Sequence, residues 1–335
     1  RRIEKNREVY FDRFRREVGV PRKQALEFAS AWEVTMEKQC PDFLDGIQGI
    51  AEGSGISLAE AVALNVRYEI LYFRTMEELA GDGCTAFAAM PSICRSRNVL
   101  HGQNWDWIPD VRGAVIRAKE PNGTEYLGFT EAGIFGAKIG LNSHGIGLTV
   151  NGMMSTDDDW KRDTVPFHAR CREILLSRTL DEAVKRVTST GPACSANFLV
   201  SSATGDAADV ELAPEDANLI RPSDGIITHA NHFRDPEALG IEEPPSEYHE
   251  SSVKREVRLR ALLLGRQPLT PEKALAALSD HEDRPRSICR HPDPREPEVE
   301  RTKTKIVAVM DLNRRELRIS EGPACRARMA RYSLE

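Results

Sequence analysis

At 335 residues the chain can bury a sizeable core, as one large α/β domain or as two ordinary ones, and its 40% hydrophobic and 29% charged residues suit a globular protein. A net charge of −6 leaves no basic footprint for nucleic acid, and no apolar run approaches the ~20 residues a bilayer-spanning helix needs. Seven scattered cysteines, odd in number and without a C-x-x-C pair, argue against a disulfide framework and for a reducing, intracellular compartment.

In chain order, residues 1–80 read as helices. Leu26, Phe28, Ala29, Trp32 and Met36 recur at helical spacing, and Ser57-Leu58-Ala59-Glu60 is a capping box ahead of an apolar run. Gly81 and Gly83 end this region. From Cys84 to Met153 the texture changes to short β-type runs: 84–90, 99–101, 113–116, 126–129 and 146–150, with Gly140–Gly145 as a turn between the last two. Residues 164–190 return to helix, with a second capping box at Thr179–Glu182. Strands are expected near 196–201, 207–213 and 225–229, and residues 235–248, acidic and proline-rich, form a surface loop. Helices follow at 251–264 and 271–279, the latter capped by Thr270-Pro271. A hairpin of 305–310 against 316–319 closes the chain. Strand runs interspersed with helix pairs, without strict βαβ alternation, predict an α+β fold: two stacked antiparallel sheets flanked by helices.

The chemistry centres on Cys84. A lone cysteine in a strand commonly serves as a small buried hydrophobe, but here a glycine precedes it. Gly83 tolerates the geometry in which the Cys84 thiol attacks the carbonyl just behind it. Cleavage of the Gly83–Cys84 bond makes Cys84 an N-terminus with an α-amine of pKa ~7.7–8 beside a thiol of ~8.5, so one residue carries a nucleophile and its base. In Gly102-Gln103-Asn104-Trp105-Asp106-Trp107, Asp106 is a carboxylate able to hold the new ammonium, while Trp105 and Trp107 are candidate pocket walls. Thr85 and Phe129 join them as substrate-pocket candidates. Asn151 and Asn231 are candidate oxyanion donors, and Arg290 is a cation able to lower the thiol pKa. His229 and His232 lack a third ligand motif, so no metal is assigned.

Five segments, in order, resemble the acyl-coenzyme A:6-aminopenicillanic acid acyltransferase family (isopenicillin N acyltransferase-like, peptidase group C45) of the N-terminal nucleophile hydrolases. They are Asp-Gly-Cys-Thr at 82–85, Gly-Gln-Asn-Trp-Asp at 102–106, and Thr-Glu-Ala-Gly-Ile through Gly-Leu-Asn-Ser-x-Gly at 130–145. Thr-x-x-Asn-His at 228–232 and Ser-Ile-Cys-Arg at 287–290 complete the set. Ala86, Phe87 and Ala88 depart from the penicillin enzyme's pattern. The resemblance implies a four-layer αββα sandwich, made as a proenzyme and cut before Cys84. Residues 1–83 become a small subunit and 84–335 a catalytic large subunit, both within one structural domain. It further implies Cys84 as nucleophile, Asp106 as its neighbouring carboxylate, Asn231 with Asn151 at the oxyanion, and Arg290 beside the nucleophile. Substrates are small acyl amides or acyl-thioesters, with no cofactor, acyl-coenzyme A as a possible cosubstrate, and a cytoplasmic or peroxisomal setting. Alternatives are a choloylglycine/penicillin V acylase-like amidohydrolase and a catalytically silent binding protein that keeps the fold.

Overall fold

The computed structural model describes residues 1–72, 83–246, 249–297 and 301–334; Gly81 and Asp82 of the sequence motifs lie outside them. The leading region forms helices α1 (Arg2–Glu17), α2 (Arg22–Gln39), α3 (Pro41–Ser54), α4 (Leu58–Asn65) and α5 (Arg67–Tyr72). The capping box at the start of α4 is complete: the Glu60 N–H donates to Ser57 Oγ at 3.3 Å, and the Ser57 N–H to Glu60 Oε2 at 2.9 Å. Two of the four orphan amides of the helix are thereby satisfied.

Strands β1 (Gly83–Ala89), β2 (Leu100–Trp107), β3 (Gly113–Lys119), β4 (Glu125–Glu131), β5 (Ile139–Asn142) and β6 (Ile146–Gly152) follow. Helices α6 (Phe167–Leu175) and α7 (Leu180–Thr188) precede β7 (Ala196–Ser202), β8 (Asp206–Leu212), β9 (Ala217–Ile220) and β10 (Ile226–His229). The chain continues with α8 (His249–Leu264), α9 (Pro271–Leu278), β11 (Lys303–Asp311), β12 (Glu316–Glu321) and β13 (Ala330–Ser333). One sheet runs β10-β1-β2-β11-β12-β13 and the other β3-β4-β5-β6-β7-β8-β9, every pairing antiparallel. Helices α8 and α9 pack on the first sheet, and α6 and α7 on the second. These are the four layers of the expected αββα sandwich.

The period-2 alternation of β1 decides which way Cys84 faces. Cys84, Ala86 and Ala88 join the apolar core between the sheets, whereas Phe87 and Ala89 join the smaller core under α8 and α9. Polar bridges cross between the sheets as well. His101 on β2 reaches Ser201 Oγ at 2.6 Å and Thr149 Oγ1 at 2.8 Å, and Gln103 donates to the Val150 carbonyl. Burial pushes the His101 pKa down to about 3, so the ring is neutral and bridges through its two nitrogens.

The structure departs from the sequence expectations where burial is not periodic. Gly140–Asn142 is strand rather than turn, because Gly140 lies against Gly128 of β4. A Cβ there would meet the Leu127 carbonyl at 2.4 Å and the Gly128 Cα at 2.7 Å. The turn begins one step later, where Asn142 Oδ1 accepts the N–H groups of His144 and Ile146, both at 3.0 Å. Strands β9 and β13 are short, the first half-buried and the second exposed, so no alternation marks them. The cap at Thr179 is half of a box: Thr179 Oγ1 accepts the Glu182 N–H at 3.1 Å, but the Glu182 carboxylate takes the Arg178 N–H.

Candidate active site

Register places Cys84. In the β1–β2 ladder Gly83 lies opposite Asp106 and Cys84 opposite Trp105, while Asp106 faces Thr304 on β11. A side chain at Gly83 has no room: its Cβ would lie 2.6 Å from Asp106 Oδ2 and 2.7 Å from Arg290 Nη2. The peptide preceding Cys84 therefore packs directly on the Asp106–Arg290 pair. Arg290 Nε lies 3.6 Å from Asp106 Oδ2, both groups being buried. Thr304 ties them together by donating to Asp106 Oδ1 at 2.6 Å and accepting the Arg290 N–H at 2.8 Å. Arg290 Nη1 donates to Thr302 Oγ1 at 3.0 Å. A charge pair fixed on this many sides is preorganised rather than adaptable.

Asn231 follows β10 and meets Cys84 from the other flank. Its Oδ1 accepts the Cys84 N–H at 2.8 Å, and its Nδ2 donates to the Gly152 carbonyl at 3.0 Å. One of its two amide hydrogens is thus committed to the second sheet. Asn151, the residue before Gly152, is fully buried on β6, and its Nδ2 has no hydrogen-bond partner among the described residues. A buried, unspent donor costs stability unless another ligand takes it up.

Two groups escaped the sequence reading. Arg255 of α8 is buried, with Nη1 donating to the Cys84 carbonyl at 2.7 Å and to Thr85 Oγ1 at 2.8 Å, and Nη2 to Asn231 Oδ1 at 3.0 Å. It sits in a charged helical run, Lys254-Arg255-Glu256, that gives no local sign of an inward role. The other is a buried charge cluster at the β4–β5 end. Glu131 bonds to Arg67, Lys138 and Tyr10. Burial pushes its carboxyl up, but Arg67 and Lys138 outweigh this and hold it at about 2. Burial lowers Lys138 to about 8 against the pull of Glu131 and Cys84. Lys138 Nζ stands 3.4 Å from the centroid of the Trp105 ring, beside the strand position that faces Cys84.

The pocket candidates divide by face. Trp105 stacks on Trp107 at 5.8 Å and leans on Phe129 at 5.5 Å. Trp107 is anchored to the leading helices: its Nε1 donates to Tyr10 Oη at 2.8 Å, and the Arg67 and Arg13 guanidinium groups cover its ring. Thr85 turns to α8. Phe129 lines a cavity of about 400 Å³ together with Arg112, Val115, Ile306 and Tyr332, and Cys84 is outside that lining. His229 and His232 are each held by a carboxylate, Glu211 at 2.7 Å and Glu256 at 3.2 Å.

The family model for acyl-coenzyme A:6-aminopenicillanic acid acyl-transferase matches residues 94–324. The 40 kDa form of acyl-coenzyme A:6-aminopenicillanic-acid-acyltransferase from Emericella nidulans is 30% identical over 266 residues, 77% of this chain and 70% of that protein. Protein dcd1A of Dictyostelium discoideum is 23% identical over 177 residues, 49% of this chain and 38% of that protein. Among solved structures, a Caenorhabditis elegans N-acylethanolamine-hydrolyzing acid amidase ortholog superposes with a TM-score of 0.50 at 17% identity, over 75% of this chain and all of that one, a likeness of fold. The chain belongs to the acyl-coenzyme A:6-aminopenicillanic acid acyltransferase family.

Proposed function

We propose that this chain is a self-processing cysteine enzyme in which Cys84 first cuts its own chain and then takes acyl groups from small amides or thioesters. The observation that carries the reading is the seat of the Gly83–Cys84 peptide, packed on Asp106 and Arg290 with its N–H held by Asn231. In the processing step Cys84 Sγ gives up its proton and bonds to the Gly83 carbonyl carbon. The C–N bond to Cys84 then breaks, and its nitrogen takes a proton. Water hydrolyses the resulting ester of Gly83 on sulfur, freeing the thiol and a Gly83 carboxylate. Asn231 Oδ1, which accepts the Cys84 N–H, then receives the new ammonium together with Asp106, and its amine form becomes the base for the adjacent thiol. During turnover Sγ attacks the substrate carbonyl, Asn151 Nδ2 donates to the oxyanion with the second Asn231 N–H, and the leaving group departs protonated. Water or an amine then resolves the thioester.

On this reading residues 1–83 and 84–335 stay together as a heterodimer of one structural domain, and acyl-coenzyme A is a cosubstrate when the donor is a thioester. A reducing compartment, cytoplasmic or peroxisomal, suits a catalytic thiol and cysteines that form no disulfide among the described residues. Among the described residues no helix is long and apolar enough to cross a membrane.

Intact-mass measurement of natively purified protein tests this. The expected result is two chains, 1–83 and 84–335, that carry a covalent acyl adduct on Cys84 after exposure to short acyl amides or thioesters. Cys84→Ala is expected to remain one chain without adduct. Active protein that is a single chain, or full turnover by Cys84→Ala, overturns the proposal.

A further inference from the structure

Three residues close in sequence and one from beyond β12 converge beside Arg290. His281 follows α9, Cys289 and His291 flank Arg290, and Cys325 lies in the short turn after β12. One ligand atom from each lies within 4.8 Å of all the others. His291 Nε2 stands 3.2 Å from His281 Nε2, 3.4 Å from Cys325 Sγ and 3.9 Å from Cys289 Sγ. One nitrogen with a single proton or lone pair cannot serve three such neighbours, whereas an ion at their centre serves all four. Zinc–nitrogen bonds of about 2.0 Å and zinc–sulfur bonds of about 2.3 Å set N···N edges of ~3.3 Å and S···N edges of ~3.6 Å in a tetrahedron. The observed spacings straddle these edges.

We propose that His281, Cys289, His291 and Cys325 form a tetrahedral site for a divalent transition metal, zinc by its donor set. Both thiols lose their protons to solvent as the two metal–sulfur bonds form, and the imidazoles bind as neutral rings. The complex of one divalent ion and two thiolates is then electrically neutral, which suits a half-buried position. Four protein ligands leave no open coordination position, so the site is structural and takes no part in acyl transfer.

The protein frame stands without the ion. The Cys289 N–H donates to the Asp280 carbonyl at 2.9 Å, Ser287 Oγ donates to the Cys289 carbonyl at 2.8 Å, and Arg258 grips the Asp280 carboxylate at 2.9 Å. The consequence reaches the active site, since two ligands are the covalent neighbours of Arg290. Bound metal would pin the Arg290 segment to the turn after β12 and hold the guanidinium against Asp106.

The test uses full-length protein purified under reducing conditions without chelator. Elemental analysis and native mass spectrometry are expected to find one zinc per chain. Cobalt exchanged into the site is expected to give intense tetrahedral ligand-field bands with thiolate-to-cobalt charge transfer. Cys325 is exposed, so Cys325→Ser spares the core; it is expected to weaken zinc binding tenfold or more in competition with a chromogenic chelator. His281→Asn should do the same from the other side. Three results each overturn the proposal: a reduced chain that takes up neither zinc nor cobalt, undiminished affinity in both variants, or a Cys289–Cys325 disulfide whose reduction restores no metal binding.

Discussion

Gly83 shows how little freedom the proposed cleavage position has. Any Cβ there enters the space of Asp106 Oδ2 and Arg290, and both belong to a buried ion pair anchored by Thr304 that cannot move aside cheaply. We expect Gly83→Ala to slow formation of the 84–335 chain at least tenfold, read from a time course of intact masses, while far-UV circular dichroism stays unchanged. Asn151 offers the complementary test. It is a buried donor with no partner among the described residues, whereas the Asn231 carboxamide already holds Cys84 and Gly152. Asn151→Ala should lower kcat of processed enzyme by about 10²–10³-fold with little change in KM, the signature of a donor used in the transition state. An unchanged kcat would remove Asn151 from the mechanism.

At the scale of elements, α5 is locked to β4 by charge. Arg67 and Lys138 both depend on Glu131, and all three are buried. Glu131→Gln leaves two buried cations without their counter-charge, and removal of one partner from such a group costs about 3–5 kcal/mol. The urea midpoint should fall with the m-value unchanged. The double variant Glu131→Gln/Lys138→Met should recover part of the loss, because it removes one of the stranded charges. The leading helices grip the rest of the molecule elsewhere too: Asn6 Nδ2 donates to the Arg112 and Ala132 carbonyls at 2.8 and 2.9 Å, and Tyr68 Oη to the Ser195 carbonyl at 2.5 Å. After processing, the two chains should therefore co-elute in gel filtration and separate only in denaturant. Separation under native conditions would contradict this.

For the whole molecule, pH acts through His229, which is buried at the junction of β10 with β8 and α8. Burial lowers its pKa, but Asp209 and Glu211 of β8 outweigh this and raise it to about 9, with Glu256 of α8 adding to their effect; the Arg234 guanidinium is the nearby cation, paired with Glu256, and its backbone N–H donates to Glu211. A group whose folded pKa exceeds its unfolded value of ~6.5 contributes fully below that value and loses its contribution as pH rises through the folded pKa. Stability should therefore decline between about pH 6.5 and 9, and His229→Gln should flatten that slope in urea titrations. The effect belongs to the assembly, because the histidine and its carboxylates come from three elements.

Local periodicity and covalent adjacency were readable from the residues alone. Short apolar runs marked most of the strands, caps at Ser57 and Thr270 marked helix starts, and the Gly83–Cys84 pair marked the residue proposed as nucleophile. The order of five short motifs gave the family. Short strands without a buried alternation, such as β9 and β13, left no such trace. Nor did residue type reveal Arg255 beside Cys84, Lys138 over Trp105, or two cysteines and two histidines converging next to Arg290. Those meetings depend on strand order and register, which join residues up to 171 positions apart. Only the tertiary structure decided them, because a side chain's neighbours across a sheet or under a helix are set by long-range pairing and not by the residues on either side of it.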